Sequence, residues 1–200
     1  MFVTAGLFGV SVLGAQVPLS TFARTDAARY GYGLGASASM TSILVGIYLI
    51  ALVAGAMLLP VVTRWIAPRI ALIGASILVA VGYLLFVPFH GSYVEVLTNM
   101  LIAGLGSGAL VAALPAAAAS AAPLDQTGVA TGLTNSVKTV GGAIASAVFG
   151  IALANPTASA GDTAGTLAGY YTVWIVCGAT AALCAALLLF VPKHAFGDAP

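Results

Sequence analysis

Two polar residues lie three positions apart inside an otherwise apolar stretch. Lys138 is the one basic residue within a predicted membrane-spanning segment, and Asn135 precedes it on nearly the same helix face. Burying a charge in hydrocarbon is costly unless it is paired or wetted, which makes such a residue a candidate for function. An amide and an ammonium at this spacing could bind a substrate oxygen or a carbonyl of a neighbouring helix. Two structural alternatives stay open: Lys138 can snorkel to the nearer surface, and Asn135 can join helices by hydrogen bonding.

Gln16 and Asn99 are the other uncharged polar side chains at useful depth, and both are candidates to line a cavity. No aspartate or glutamate lies in the interior of an apolar segment. Glu95 lies at the end of one segment and His90 in the loop before it, where both can stay hydrated. Proton coupling needs a titratable group that alternates between two aqueous sides. The sequence therefore shows no evident proton carrier.

Ser107 stands between two glycines and invites comparison with an intramembrane serine protease. A serine nucleophile needs a histidine within hydrogen-bond reach. His90 precedes it in a loop, and His194 follows the last apolar segment. This order disfavours an enzyme.

Cys177 and Cys184 lie on one predicted helix, about 10 Å apart along its axis, which excludes a disulfide between them. We predict that both are small apolar packing residues. The histidines and cysteines are too dispersed to form a ligand cluster, so the sequence predicts no metal site and no cofactor.

The composition defines the surroundings in which these residues lie. Hydrophobic residues make up 61% of the chain, charged residues 6%, and the mean hydropathy is +1.12. So little charge cannot cover a water-soluble domain, which is about 25% charged. The lipid bilayer is thus the expected partner, and the net charge of +1 provides no basic surface for nucleic acid.

The apolar residues form continuous stretches, each long enough for a hydrocarbon core of ~30 Å. They run over Met1–Phe22, Thr41–Val62, Ile70–Pro88, Val94–Ala121, Gly128–Ala154 and Ala168–Val191. Continuous rather than alternating apolar residues predict helices and exclude a barrel. The predicted fold is an all-α membrane protein, a single bundle of six transmembrane helices over residues 1–200.

The connections between these stretches hold nearly all the charge. An even number of spans places both termini on one side of the membrane. With cytoplasmic termini, Arg64, Arg69 and Lys193 lie inside and Arg24 and Arg29 outside, as the positive-inside rule favours. We expect a multi-pass protein of the cell's inner (plasma) membrane with both termini in the cytoplasm.

Small residues crowd the later stretches, some at small-xxx-small spacing. Such faces let helix backbones approach closely in lipid. We predict that most of them pack helices and that a few flex or face a substrate path. They are Gly104, Gly106, Gly108, Gly128, Gly132 and Ser136. Asp125 precedes the fifth stretch and is predicted to cap its helix.

A faint internal repeat relates the first and fourth stretches. Gly6-Leu7-Phe8-Gly9 followed by Pro18 matches Gly104-Leu105-Gly106 followed by Pro115. Many transporters consist of two inverted three-helix units with such glycine- and proline-interrupted helices. The match is weak support for a repeat of this kind.

The segment from Pro123 to Ala147, PLDQTGVATGLTNSVKTVGGAIASA, resembles the penultimate helix of the major facilitator superfamily, in its fourteen-helix drug:proton antiporter branch. Two residues depart from the family pattern: a lysine stands where arginine is commoner, and Ala145 where glycine often occurs. Gly104 to Gly108, followed by Pro115, resembles the preceding family helix. The pattern positions are Gly128, Gly132, Asn135, Lys138, Gly141 and Gly142.

The loop Thr63-Arg64-Trp65-Ile66-Ala67-Pro68-Arg69 resembles the basic cytoplasmic loop of the same superfamily. The family's aspartate is absent, since Thr63 occupies its place, which puts the charge-relay form of that gate in doubt. The resemblance implies that the first, second, fourth and fifth helices line a substrate cavity.

The resemblance covers the chain in helix order and implies the C-terminal half of a secondary transporter for proton-coupled efflux of drug-like or other small lipophilic molecules. Because the chain starts almost inside its first helix, we expect it to be cut from something longer. The missing N-terminal half, or a second copy, is then its partner. The alternatives are a self-sufficient six-helix protein acting as a homodimer and, less favoured, an intramembrane enzyme.

Overall fold

The computed structural model describes residues 2–13, 15–120, 122–156 and 164–190, and over these ranges its regular secondary structure is entirely helical. This part of the chain is therefore all-α, as the sequence predicts. The helices are α1 (Phe2–Leu13), α2 (Gln16–Arg24), α3 (Ala27–Tyr30), α4 (Ala38–Val62), α5 (Pro68–Leu84), α6 (Tyr93–Ser120), α7 (Thr127–Ala152) and α8 (Leu167–Phe190).

The first predicted stretch comprises two helices, α1 and α2. Pro18 lies in the first turn of α2, where its missing N–H removes no helical hydrogen bond. The Leu19 N–H donates to the carbonyl of the cap residue Ala15 at 3.1 Å, which closes the first turn of α2. A proline at this position is thus compatible with a helix that restarts after α1.

Local signals set several helix ends. The Ser37 hydroxyl caps α4 by accepting from the Met40 N–H at 3.3 Å, and Pro68 opens α5. The prediction that Asp125 caps the fifth stretch is wrong. Gln126 holds the cap position of α7, and its side chain makes no capping bond.

Among the described residues, four helical stretches are long and apolar enough to cross a bilayer: Val3–Arg24, Ala38–Val62, Tyr93–Ser120 and Leu167–Phe190. The first runs through α1 and α2. Helix α5 is apolar but has 17 residues, about 25 Å of helix. Helix α7 has 26 residues but a more polar composition. The count of six crossings therefore stays a prediction.

Helix packing follows two similar pairs, α4 against α6 and α1 against α7, with α5 and α8 packed on each other. Glycines lie at both crossings. A Cβ at Gly108 of α6 would overlap the carbonyl of Leu52 in α4, and a Cβ at Gly9 of α1 would overlap the carbonyl of Lys138 in α7. Only glycine allows these helices to approach so closely.

Aromatic rings close one end of the bundle, which we call the His90 end. Phe22 of α2 packs edge-on against Trp174 of α8 with the ring centroids 5.1 Å apart, and Phe86, which follows α5, stacks on Trp174 at 5.2 Å. The opposite end carries the α4–α5 loop and is called the Arg64 end.

Candidate functional site

A cavity of about 320 Å³ opens between α2, α4, α5 and α6. Gln16 and Ser20 of α2 contribute its polar wall, and Tyr48 of α4, Tyr83 of α5 and Met100 of α6 its aromatic and sulfur-containing walls. Gln16 is exposed and was singled out from the sequence. The tyrosines were not, because a tyrosine within an apolar run is typical of helix packing.

Two buried hydroxyls near this cavity make no hydrogen bond of regular geometry among the described residues, although the Tyr48 hydroxyl lies close to those of Ser107 and Tyr83. The two belong to Tyr48, which is 5% exposed, and to Ser107 of α6, which is fully buried. A Cβ built on Gly104 would lie 3.2 Å from the Tyr48 ring, so α6 packs directly on this side chain. An unpaired buried hydroxyl is unfavourable, which suits a site where water or a ligand provides the missing partner.

The chemistry of the cavity is that of an uncharged, partly aromatic site. None of its lining residues carries a charge. Gln16, Ser20 and Tyr48 offer hydrogen-bonding groups, whereas the tyrosine rings and Met100 offer polarisable apolar surface. Such a mixture can hold a lipophilic molecule that carries a few polar groups.

Asn99, the second amide predicted from the sequence, is used within the fold. It is 3% exposed, and its Nδ2 donates to the carbonyl of Phe89 at 2.7 Å. This bond ties α6 to the loop after α5. Its neighbour Met100 faces the cavity, but Asn99 is not among the lining residues.

Asn135 and Lys138 lie together on α7, where the Lys138 Nζ donates to the Asn135 Oδ1 at 3.0 Å. Lys138 is half-buried and lies about 16 Å along the helix from Thr127, near the middle of α7. Neither residue lines the cavity, so the structure does not bring the four polar candidates to one place.

One exposed face of α7, which we call the polar stripe, carries only small or polar residues. Its members recur every three or four positions and therefore share a face of the helix. They are Gly128, Gly132, Asn135, Thr139, Ala143, Ser146 and Gly150. A Cβ on any of the three glycines would meet nothing within 4 Å.

A second exposed face lies about 100° around the same helix and is predominantly apolar. We call it the apolar stripe of α7, and its largest members are Val129, Leu133, Val140, Ile144 and Ile151, which are 47–77% exposed. The two stripes lie side by side, so one exposed face of α7 suits a polar environment and the neighbouring face an apolar one.

The predicted packing glycines divide into two groups. Gly104, Gly106 and Gly108 press α6 onto α4 and α5, while Gly141 and Gly142 press α7 onto α1. A Cβ at Gly128 or Gly132 would meet nothing within 4 Å, so a packing role for these two glycines stays a prediction that requires a partner outside the described residues. Pro115 lies half-buried within α6.

The two loop arginines behave differently. Arg64 is exposed in the α4–α5 loop. Arg69, in the first turn of α5, donates through Nε to the carbonyl of Leu188 at 3.0 Å and through its guanidinium to the carbonyl of Leu189. It thereby stabilises the C-terminal turn of α8, where a positive charge is favourable.

His90 is more enclosed than the sequence predicts. Its ring lies 5.5 Å from the rings of Tyr171 and Trp174, and its Nδ1 is buried without a partner among the described residues. Its ring contacts are with the aromatic end of the bundle. His194 lies outside the described residues.

The comparison with known families adds one match. A family model described as Major Facilitator Superfamily matches residues 2–198. No curated protein and no solved structure matches the chain. Members of this family are membrane transporters rather than enzymes, in agreement with the apolar helices of the bundle. The chain therefore belongs to the Major Facilitator Superfamily and is an integral membrane protein of the transporter class.

Proposed function

We propose that this chain is the C-terminal half of a secondary active transporter that exports drug-like or other small lipophilic molecules by alternating access. The polar stripe of α7 carries the proposal. Thr139 bonds the carbonyl of Asn135 at 2.9 Å, but the Asn135 amide N–H groups and the Ser146 hydroxyl would have no water to bond if they faced lipid tails. A second transporter half would pack near the stripe, and a water-filled path between the two halves would hydrate its polar groups.

The rest of α7 supports this arrangement. The apolar stripe suits lipid, and the open space at Gly128 and Gly132 leaves room for the backbone of a partner helix. Lys138 lies beside the polar stripe and keeps its ammonium hydrogen-bonded to Asn135. We propose that this pair borders the path.

The packing pattern favours six crossings in two inverted three-helix units, the first comprising α1 with α2, α4 and α5, and the second α6, α7 and α8. In such a repeat α1 with α2 corresponds to α6, α4 to α7, and α5 to α8. The α4–α6 pair then corresponds to the α7–α1 pair, and both pairs cross at glycines. The α5–α6 pair likewise corresponds to the α8–α1 pair. Inverted repeats of this kind are common in transporters, and their interface holds the substrate.

The cavity near Gln16 is the proposed substrate contact of this half. Its uncharged lining and its two tyrosines suit a lipophilic or amphipathic molecule rather than an ion. The Tyr48 hydroxyl, which lies close to the Ser107 and Tyr83 hydroxyls but makes no hydrogen bond of regular geometry, can turn to bind a polar group of that molecule.

Proton coupling is assigned to the other half. Within the described helices the acidic residue is Glu95, in the first turn of α6, where its Oε2 accepts from the N–H groups of Gly91 and Ser92. A carboxylate used in this way at a helix end does not alternate between two aqueous sides. We place the protein in the plasma membrane with the Arg64 end and both termini in the cytoplasm.

An efflux assay tests the proposal. Cells expressing the chain alone are compared with cells that also express the half encoded directly upstream, and export of a lipophilic fluorescent dye is measured. We expect export only from the pair, reduced when Gln16→Leu alters the cavity and unchanged in Val3→Leu, a control at an exposed position of α1 that does not line the cavity. Export by the chain alone at the rate of the pair would contradict the half-transporter assignment.

The alternative is a transporter assembled from two copies of this chain. The polar stripe also favours it, because a stripe of small residues can pack against its own copy. Export by the chain alone, together with a cross-link between two copies of Ser146→Cys, would support this alternative.

A further inference from the structure

We propose that a groove between α4 and α5 binds one anionic phospholipid of the leaflet that the Arg64 end faces. The acyl chain lies in the groove, and the headgroup phosphate binds Arg64. This site is separate from the substrate cavity, and its test does not depend on transport.

The groove has a volume of about 440 Å³, and all of its lining residues are apolar. Val62 of α4 and Ile70 of α5 form its two rims, and Leu105 of α6 forms part of its floor. Gly74 leaves the groove open, because a Cβ there would meet nothing within 4 Å. With no hydrogen-bonding side chain in the lining, the occupant must be hydrocarbon.

A cation stands at the mouth of the groove. Arg64 lies in the chain between Val62 and Ile66, which both line the groove, and its guanidinium makes no hydrogen bond or ion pair among the described residues. Arg69 already binds the carbonyls at the end of α8, so Arg64 is the arginine available to a phosphate. A guanidinium is well suited to a phosphate because it can bind two oxygens at once.

Trp65 indicates where this end of the groove meets the membrane surface. It follows Arg64 and is 86% exposed. Exposed tryptophans are enriched where the hydrocarbon core meets the headgroups. The apolar groove, an exposed tryptophan and a free guanidinium thus lie at the same end of the bundle, where the acyl chain, glycerol and phosphate of one lipid would need them. This arrangement favours a phospholipid over a second copy of the chain.

Fluorescence quenching tests the proposal, since the chain has two tryptophans and Trp174 is 1% exposed. The full chain is placed in nanodiscs of equal parts phosphatidylglycerol and phosphatidylcholine, with one lipid or the other brominated on its acyl chains. We expect brominated phosphatidylglycerol to quench Trp65 more strongly, corresponding to about fivefold enrichment for one well-placed arginine.

Two variants test whether the preference for phosphatidylglycerol arises at Arg64 and in the groove, and each has a matched control. Arg64→Gln removes the cation and Gly74→Leu fills the groove, so each should abolish the preference for phosphatidylglycerol. Arg24→Gln, at the other end of the bundle, and Gly46→Leu, where a Cβ also meets nothing within 4 Å, should leave it unchanged.

Equal quenching by both lipids in the unaltered chain would overturn the proposal. So would a preference that survives both Arg64→Gln and Gly74→Leu, because it would report general surface charge. If Gly74→Leu instead changes the number of chains per particle, measured by native mass spectrometry, a second copy occupies the groove and the phospholipid assignment fails.

Discussion

Buried hydroxyl groups of the same residue type have opposite surroundings in this bundle. The hydroxyl of Tyr48, beside the cavity, lies close to those of Ser107 and Tyr83 but makes no hydrogen bond of regular geometry among the described residues. The hydroxyl of Tyr170, at the His90 end, accepts from the Gly165 N–H at 3.1 Å and donates to the Thr21 Oγ1 at 3.2 Å. The Tyr48 hydroxyl is thus loosely held and can bind a ligand, whereas the Tyr170 hydroxyl joins parts of the fold.

Substitution by phenylalanine should separate these roles. Tyr48→Phe removes a hydroxyl that makes no hydrogen bond of regular geometry and should leave the melting temperature unchanged or slightly raised, while dye export falls about fivefold for one lost hydrogen bond to the substrate. Tyr170→Phe should lower the free energy of unfolding by about 1–2 kcal/mol. Thermal unfolding of the purified chain and export by the assembled transporter measure the two effects. A marked loss of stability in Tyr48→Phe would show that its hydroxyl is structural.

The two loop arginines give a second residue-scale prediction. Arg69→Gln removes the bonds to the last carbonyls of α8 and should destabilise the chain by about 1–2 kcal/mol. Arg64→Gln, the matched change at the neighbouring exposed arginine, should lie within about 0.5 kcal/mol of the unaltered protein. Thermal unfolding in lipid-free detergent checks both, and equal effects would refute the assigned role of Arg69.

Individual site residues could be predicted from the sequence only where a polar side chain lay within an apolar run. Gln16 was noticed as an amide in an apolar run, and it lines the cavity. Asn99 was noticed for the same reason but bonds the carbonyl of Phe89, ten residues away, which the sequence cannot reveal. Tyr48 and Tyr83 were missed because their place in the cavity depends on how α4 and α5 meet α2.

At the scale of the helices, close crossings at glycine determine which pairs can form. Gly108 has no room for a Cβ against the Leu52 carbonyl, whereas Gly46 of α4 has open space around it. These two helical glycines therefore form a matched pair for substitution. Their helix propensities change equally, so any difference reports the crossing.

Gly108→Ala should destabilise the chain by more than about 2 kcal/mol, because α4 and α6 must move apart. Gly46→Ala should stabilise it by up to about 1 kcal/mol through helix propensity. Unfolding in a mild detergent, followed by loss of helical circular dichroism, measures both. Comparable effects of the two substitutions would mean that the α4–α6 crossing is looser than described.

Much of the helical pattern follows from hydropathy, since helices occupy each apolar stretch within the described residues. The sequence marked Pro18 as an interruption of the first stretch but did not locate the start of α2 at Gln16, because proline is tolerated anywhere in the first turn of a helix. The cap of α7 was placed one residue early, at Asp125 instead of Gln126. The polar stripe of α7 was missed because its hydroxyl residues were not placed on one helix face.

At the scale of the whole molecule, the path of the chain across the membrane depends on α5 and α7, the two helices outside the four candidate spans. Six crossings place the α6–α7 loop and the segment after α7 on opposite sides. Leu124, which is 95% exposed, and Pro156 report on these two positions.

A membrane-impermeant thiol reagent added from one side should label Leu124→Cys or Pro156→Cys, but not both. Ser92→Cys should be labelled from the same side as Pro156→Cys. The native Cys177 and Cys184 are 0% and 1% exposed and should contribute little background. Labelling of Leu124→Cys and Pro156→Cys from the same side would show that α7 does not cross, and the six-helix topology would be wrong.

The central claim is that the polar stripe of α7 faces a water-filled path between this chain and a second transporter half. Thiol reactivity along α7 in the assembled transporter tests this claim most directly. Thr139→Cys and Ser146→Cys lie on the polar stripe, and Val140→Cys and Ile144→Cys on the apolar stripe. A hydrophilic maleimide requires a thiolate in water, so the first pair should react more than about tenfold faster than the second. Equal reactivity of the two stripes, or faster reaction of the apolar one, would contradict the account.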